Sequence, residues 1–503
     1  MRDNWLSLRS GSEIRGYASP HDGHAVQMTK ELAECIGYAF ALWLANEMDT
    51  TPDKLTIAVG QDSRLSSPHL AKALIHGLTC ADCDVYDCSL STTPAMFLTM
   101  FDSEVAADGA VMVSSSHAPG HINGFKLFYA GDGLDAEEIT QVIQSAMQIT
   151  LPHRLVTGLD CQHMYAETIR KMVYERLETD VQCPLLGLSV VVDAANGAGG
   201  FFAALLEELG ADVTGSMYLE PNGHFPGHVP DPEMPESIEL ISRAVIENEA
   251  DLGVTFDSDG VRASIVDQTG KPITGNRLIA LVSAILLEDD PGATIVTDSV
   301  TSSGLARFIT EWGGVHYRFK RGYRNVIDEA VRLNEEGIDC PLAIETSGHA
   351  ALREHFFIDD GMYLATWLII EALYRKREGL TLSSLIDELQ EPVESVRIRM
   401  QVLGEDVRES AAEVIQVILS HTLENQAWHL APDNREGARI SFDLDGGVEN
   451  AWFMLRLSVH DPVMALHAES DEPGGVKRML TELYEVLRGT EELDLSVLKH
   501  AIQ

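Results

Sequence analysis

Leu188-Ser189-Val190-Val191-Val192-Asp193-Ala194-Ala195-Asn196-Gly197-Ala198-Gly199-Gly200 carries a short apolar run directly into a polar, glycine-rich turn. A β-branched run bounded by turn residues reads as a buried strand. Phe201–Leu209 behind it has the spacing of an amphipathic helix. The same unit recurs along the chain. Leu55–Val59 ends at Gly60, Ala110–Val113 ends in serines, and Leu252–Phe256 ends on acidic residues. Ala211–Tyr218, Ala293–Thr297, Val315–Phe319 and Leu342–Ile344 are predicted as further strands. Helices are predicted at Ile238–Asn248, Leu278–Leu287, Gly304–Trp312 and Val326–Asn334. Strands alternating with helices imply parallel sheets covered by helices, an α/β architecture. Ligands of such sheets bind at the carboxyl ends of the strands, where the polar clusters of this chain stand.

The C-terminal stretch has a different pattern. A helix at Val407–Leu423 precedes three strand-like runs, Ala438–Leu444, Trp452–Val459 and Val463–Ala468, and a helix at Gly474–Leu487 closes the chain. This is an α+β pattern of adjacent antiparallel strands, and it places a domain boundary near Val396. Softer boundaries fall near Thr150–Thr157, around a Pro-His-Arg turn, and near Gln268–Pro272. With 503 residues the chain exceeds one hydrophobic core. The domains are expected at 1–154, 155–268, 269–395 and 396–503.

A formal charge of −42 opposes nucleic acid and anionic membranes. Any phosphate site must then be a local cluster of arginine, histidine and backbone N–H groups. The most apolar stretch, Met362–Leu373, is too short to span a bilayer and is interrupted by Glu371. The N-terminus has no signal-peptide core, so a cytoplasmic location is expected. Cys80, Cys83 and Cys88 cluster without a second Cys/His group at ligand spacing, and read as ordinary reduced thiols rather than a metal site.

Five clusters carry chemistry, and each has a plain structural reading beside the functional one. Ser114-Ser115-Ser116-His117-Ala118-Pro119, followed by Asn123-Gly124-Phe125-Lys126, offers a serine nucleophile with a lysine on the next short strand. Its plain reading is a polar turn before a hairpin. Asp257-Ser258-Asp259-Gly260-Val261-Arg262 offers alternate carboxylates for Mg²⁺ and an arginine for phosphate. It is equally a turn composition. Lys320-Arg321-Gly322-Tyr323-Arg324-Asn325 opens a helix, where anions bind; it also reads as a solvated basic turn. Glu345-Thr346-Ser347-Gly348-His349 can take adjacent sugar hydroxyls, or is a capped loop. In Arg456-Leu457-Ser458-Val459-His460-Asp461-Pro462, strand alternation puts Arg456, Ser458 and His460 on one face, suited to phosphate. The same alternation describes the polar face of any half-buried strand.

Taken in order, these clusters resemble the α-D-phosphohexomutase family, the phosphoglucomutases and phosphomannomutases. The resemblance runs from Ser12-Glu13-Ile14-Arg15-Gly16 to the C-terminal loop. Ser114–Pro119 matches the family's active-site loop, with Ala118 in place of Asn, and Asn123–Lys126 matches its Asn-Gly-x-Lys. Asp193–Gly200 matches a further family segment. Ile344–His349 matches the sugar loop, with Ile344 for Gly. Arg456–Pro462 matches the phosphate loop, with His460 and Asp461 for Thr and Glu. In the acidic loop the family's third aspartate is replaced by Val261.

The resemblance implies three related α/β domains with mixed sheets and a smaller C-terminal α+β domain around a central cleft. It implies a phosphohexomutase interconverting hexose 1-phosphate and hexose 6-phosphate, of glucose or mannose, through a phosphoserine at Ser116 and a hexose 1,6-bisphosphate. Lys126, Arg15 and His117 would join Ser116 in catalysis. Mg²⁺ would sit on Asp257, Asp259 and the Ser116 phosphate, with Arg262 in support. Gly322, Tyr323, Arg324, Glu345, Ser347, Arg456, Ser458 and His460 would bind the phosphosugar, and the hexose bisphosphate would act as activator. A monomer or homodimer is expected, with no nucleic-acid or membrane partner. Two alternatives share these motifs: a phosphosugar-binding relative without turnover, and a phosphoserine-dependent phosphatase.

Overall fold

The computed structural model describes residues 2–151, 157–404, 406–458 and 461–503. The Pro-His-Arg turn at 152–154 lies outside them. The chain packs as two units, residues 1–274 with 347–384, and residues 275–346 with 385–503.

The first unit holds two mixed sheets. In the first sheet Thr56–Gln61 lies between Asp84–Leu90 and Gly109–Val113, parallel to both. Gly109–Val113 then pairs antiparallel with Ile122–Tyr129, which pairs antiparallel with Glu13–Tyr17. This places the carboxyl end of Gly109–Val113 and the strand bearing Lys126 and Arg15 together. Helices Lys30–Glu47 and Ser67–Cys80 pack against one another under this sheet. A Cβ on Gly37 would stand 2.2 Å from the Leu74 carbonyl, and one on Gly77 1.9 Å from that of Glu34. Glycine at both positions lets the two backbones touch.

In the second sheet Val190–Asp193 runs parallel to Leu252–Phe256, and Ala263–Asp267 returns antiparallel. All three strands are buried along their whole length, which explains their continuous apolar runs. The expected strand at Ala211–Tyr218 is not formed. Only isolated pairings, Ser189 with Asp212 and Asp193 with Met217, survive in a segment of turns where Gly215 has φ 89°. The apolar stretch near Met362 lies in the helix Gly361–Arg377, most of which is buried. No helix among the described residues is long and apolar enough to cross a membrane.

In the second unit Thr294–Thr297 lies between Val315–Arg318 and Leu342–Ile344, parallel to both. Helix Tyr323–Glu335 follows the basic turn. The C-terminal sheet is antiparallel, in the order Glu394–Gln401, Val463–Ser470, Ala451–Leu457, Ala438–Phe442, His429–Leu430. Its first strand alternates buried and exposed residues and was not read from the sequence. Helices Val407–Glu424 and Gly475–Leu487 pack on its core. The predominantly parallel sheets expected from the alternation are thus confined to the centres of the α/β layers, and hairpins widen two of them into mixed sheets.

Asp360 anchors the helix Gly361–Arg377. Its carboxylate accepts the N–H groups of Met362 and Tyr363, the Tyr165 hydroxyl at 2.6 Å, and His355 Nε2 at 2.8 Å. The next residue, Gly361, abuts the acidic loop, since a Cβ there would meet the Arg262 carbonyl carbon at 2.6 Å. Asp360→Ala removes a cap and leaves buried donors unpaired, and should cost about 2–4 kcal/mol. Hydrogen exchange of the helix amides should show the loss, and unchanged protection would refute the anchoring role.

Candidate active site

The serine loop leaves Gly109–Val113 at its carboxyl end and turns sharply at Ser116, whose φ of 52° is left-handed. Such a backbone is costly for a side-chain-bearing residue and needs outside support. The support is a buried clamp. Arg64 donates to the Ser116 carbonyl at 2.5 Å and to those of Pro119 and Ile122 at 2.9 and 3.0 Å. The Ser258 hydroxyl donates to the same Ser116 carbonyl at 2.6 Å. Asp62 pairs with Arg64 Nε at 2.9 Å, both side chains having no exposure, and accepts the hydroxyls of Ser67 and Ser114.

The clamp selects one hydroxyl of three. Ser114 Oγ is committed to Asp62 and accepts the Ser116 N–H. Ser115 Oγ is buried without a hydrogen-bond partner, against the backbone of Gly124. Ser116 Oγ donates to Asp257 at 2.6 Å. His117 follows on the same turn, half-buried.

The acidic loop stands at the carboxyl end of Leu252–Phe256. Asp257 and Asp259 are fully buried. Asp259 Oδ2 accepts Lys126 Nζ at 2.8 Å and the Thr93 hydroxyl at 2.6 Å, while Asp259 Oδ1 has no hydrogen-bond partner. Arg262 reaches Asp257 at 3.3 Å, Asp231 at 3.3 Å and Glu233 at 3.6 Å. Burial raises a carboxyl pKa, but the charge and hydrogen bond of Lys126, with Thr93, hold Asp259 at about 2. Asp257 is pushed up by burial and by the neighbouring Asp259. Arg15 pairs with Glu13 at 2.6 Å, and Glu13 lies 3.9 Å from Lys126. Ser116, Asp257, Asp259, Lys126 and Arg262 are thus gathered at one place, as expected, with Arg15 joined to them through Glu13. A divalent cation fits this donor set, because a buried carboxylate oxygen is left without a partner beside a second carboxylate. Val261, itself buried, contributes no side-chain oxygen.

The second unit carries a cluster of arginines and backbone N–H groups paired with carboxylates. Gly322, at φ 121°, starts the helix Tyr323–Glu335. Its N–H donates to Glu345 at 2.6 Å, and that of Arg321 donates to Glu436 at 2.8 Å. Arg321 lies 3.3 Å from Asp298, Arg324 3.3 Å from Asp328, and Arg456 Nε 4.0 Å from Glu436. Arg456 is buried, and its pKa is lowered chiefly by that burial. The strand ends at Leu457, and Ser458 lies one residue beyond it, its N–H donating to the Val463 carbonyl at 2.9 Å. His460 lies outside the described residues. Ser347 belongs to the first unit, whereas Glu345 belongs to the second.

The clamp residues Asp62, Arg64 and Thr93, and the unit-two carboxylate Glu436, were missed in the sequence. A signal existed for the first two, because Gln61-Asp62-Ser63-Arg64 is a polar cluster at a strand end like those that were recognised.

Residues 9–151, 163–270 and 274–393 match the family models of phosphoglucomutase/phosphomannomutase alpha/beta/alpha domains I, II and III. A phosphomannomutase/phosphoglucomutase of Pseudomonas putida is 31% identical over 428 residues, covering 84% of this chain and 85% of its own. The X-ray structure of a phosphoglucomutase/phosphomannomutase family protein from Burkholderia thailandensis is 25% identical, with a TM-score of 0.78 over 97% of this chain and 98% of that one. The fold is also shared, at 12% identity and a TM-score of 0.54 over 89% of this chain and 80% of that one, with an Aspergillus fumigatus N-acetylphosphoglucosamine mutase crystallised with GlcNAc-6P and magnesium. The chain belongs to the phosphoglucomutase/phosphomannomutase family. Its activity is that of a phosphohexomutase, interconverting hexose 1-phosphates and 6-phosphates.

Arg64 is a positioning residue in this arrangement. Arg64→Ala would leave Asp62 as a buried unpaired charge, at about 3–5 kcal/mol. Arg64→Lys keeps the charge but loses the planar fork. It should fold and lose about tenfold or more in kcat, the worth of one charge-assisted hydrogen bond. A coupled assay beside a thermal melt separates the two effects.

Proposed function

We propose that the phosphoryl group travels by way of Ser116, and that the substrates are the 1- and 6-phosphates of glucose or mannose. The observation that carries this reading is the Ser116 hydroxyl held 2.6 Å from Asp257 in a strained, clamped turn. In the forward step a sugar hydroxyl oxygen bonds to the phosphorus of phosphoserine 116 as the bond from phosphorus to Ser116 Oγ breaks. The sugar becomes a 1,6-bisphosphate. The proton lost by the sugar hydroxyl balances the one regained by Ser116 Oγ, which returns to its hydrogen bond with Asp257. The bisphosphate reorients and gives its other phosphoryl group back by the same step reversed.

Phosphoryl transfer depends on position and on charge neutralisation rather than on covalent help from the protein. Lys126 Nζ, buried beside Asp259, supplies fixed positive charge and is the candidate proton carrier, with Arg15 and His117 as its companions. Mg²⁺ held by Asp257, Asp259 and the phosphoserine would neutralise charge on the phosphoryl oxygens. Arg262 holds Asp257 in place through its Nε. The sugar hydroxyls are assigned to Glu345 and Ser347. The phosphate that is not transferred is assigned to Arg456, Ser458 and His460, with Gly322, Tyr323 and Arg324 beside the helix N-terminus. A hexose 1,6-bisphosphate primes the bare enzyme by the reverse of the first step.

Incubation with glucose 1,6-bisphosphate, intact mass and peptide mapping should place one phosphoryl group on Ser116. Ser116→Ala should abolish both label and turnover, whereas Ser115→Ala should keep both. Label confined to Ser114 or Ser115 would refute the assignment. Arg456→Ala should weaken phosphosugar binding by about 1.5–3 kcal/mol while leaving priming intact at saturating bisphosphate. Unchanged apparent affinity would reject its role.

A further inference from the structure

His228 is held on both sides of its ring inside the first unit. The side chain is 1% exposed. Nε2 lies 2.9 Å from Asp193 Oδ2, and Nδ1 lies 2.7 Å from the Val229 carbonyl oxygen. Nδ1 is also 3.0 Å from the Ser237 hydroxyl, but that hydroxyl donates its one proton to the Asp231 carbonyl at 2.8 Å. Both ring nitrogens therefore face acceptors. With Nδ1–H committed to Val229, a neutral ring would turn a bare Nε2 lone pair towards the carboxylate; the imidazolium, with two N–H groups, satisfies both sides. Asp193 is fully buried and also takes the Ala195 N–H and the Thr255 hydroxyl. Asp193 from the end of Val190–Asp193, Glu236 from the helix Pro235–Glu247 and the Tyr218 ring at 5.5 Å face His228. Burial alone would lower its pKa, but the hydrogen bond and charge of Asp193, with the Val229 carbonyl and Glu236, carry it above the ordinary imidazole value.

This pair leads directly to the acidic loop. The turn that follows is stiffened by Pro230 and Pro232. Ser237 holds its Asp231 carbonyl, and the Ser264 hydroxyl holds its Pro232 carbonyl at 2.8 Å. The carboxylates of Asp231 and Glu233 then stand 3.3 and 3.6 Å from Arg262 Nη1, while Arg262 Nε stands 3.3 Å from Asp257. We propose that His228 is a positioning residue for phosphoryl transfer: as a buried imidazolium it fixes the turn 228–233, whose two carboxylates hold Arg262 against Asp257. This rests on the reading of Asp257 as part of the apparatus that serves Ser116. Loss of the ring proton leaves Asp193 as a buried charge without its partner, and the turn loses its anchor. Because the folded pKa is raised, the contribution of His228 is whole below the ordinary imidazole value and is lost as pH rises through the folded one.

Wild type is compared with His228→Gln, whose amide can still donate to Asp193 but cannot titrate. Long-range ¹H–¹⁵N spectra report the state of the ring, the His228 signals being those missing from the variant. At neutral pH both nitrogens should resonate as imidazolium, and a neutral ring would overturn the proposal. In a coupled assay His228→Gln should lose about tenfold in kcat, the scale of one charge-assisted hydrogen bond, with KM near wild type. Wild-type kcat should also decline on the alkaline side at the pH where the spectra show His228 losing its proton, and that limb should be absent from the variant. An unchanged kcat, or the same alkaline limb in both proteins, would overturn the proposal. Ser237→Ala carries the test if His228→Gln does not fold. It leaves His228 and Asp193 in place and cuts the link to Asp231, so kcat should fall while the His228 signals, now recognised by their shift, stay those of an imidazolium. Full kcat in Ser237→Ala would refute the coupling to the turn. Labelling of wild type by glucose 1,6-bisphosphate reads the Ser116 assignment separately, and its failure would leave the protonation of His228 untouched.

Discussion

The buried pair of Asp62 and Arg64 is the constraint on which the serine loop depends. A left-handed residue at a strand end has no ladder to hold it, so its carbonyl must find donors elsewhere. Arg64 and Ser258 supply them. A guanidinium can do this because its rigid fork serves several carbonyls at once and keeps its charge when buried. Asp62 compensates that charge and ties Ser114 into the same network. Ser258 comes from the acidic loop, so the clamp that shapes the serine turn also joins it to the loop that carries Asp257 and Asp259.

Each unit holds its own cluster of paired charges, and the two clusters have opposite make-up. Around Ser116 the first unit gathers the buried carboxylates of Asp257 and Asp259, and offsets them with Lys126 and Arg262. The second unit gathers Arg321, Arg324 and Arg456 and offsets them with Asp298, Asp328, Glu345 and Glu436. In a chain of charge −42, neither group relies on the general field. Both rely on charge paired at short range, where burial limits screening.

Much of this was legible in the sequence because strand ends announce themselves. Leu252–Phe256 and Leu342–Ile344 were read to the residue, since buried parallel strands are unbroken apolar runs. The serine and acidic loops followed from their position after such runs. Ala211–Tyr218 failed because only Asp212 and Met217 pair with the sheet, and the turn at Gly215 separates them. Glu394–Gln401 was missed because an edge strand with one wet face alternates charge with apolar residues. The clamp was harder still. Asp62, Arg64 and Thr93 act through contacts with residues far away in the chain, and periodicity carries no information about those. The depression of Asp259 and the elevation of Asp257, two residues apart on one loop, come from neighbours that no local pattern displays.

The discontinuity of the first unit bears on how the chain is made. Its helix Gly361–Arg377 supplies buried residues to a body otherwise complete at residue 274. During synthesis the ribosome therefore delivers the strands of residues 275–346 before the segment that finishes the earlier unit. The acidic loop waits, with Gly361 absent from beside Arg262 and Met362 from beside Gly260, until roughly three-quarters of the polypeptide has emerged. Vectorial folding cannot proceed here as a simple queue of domains. The nascent first unit must hold an unfinished face in solution while its successor is being spelled out, a period in which chaperone engagement has its clearest physical motive.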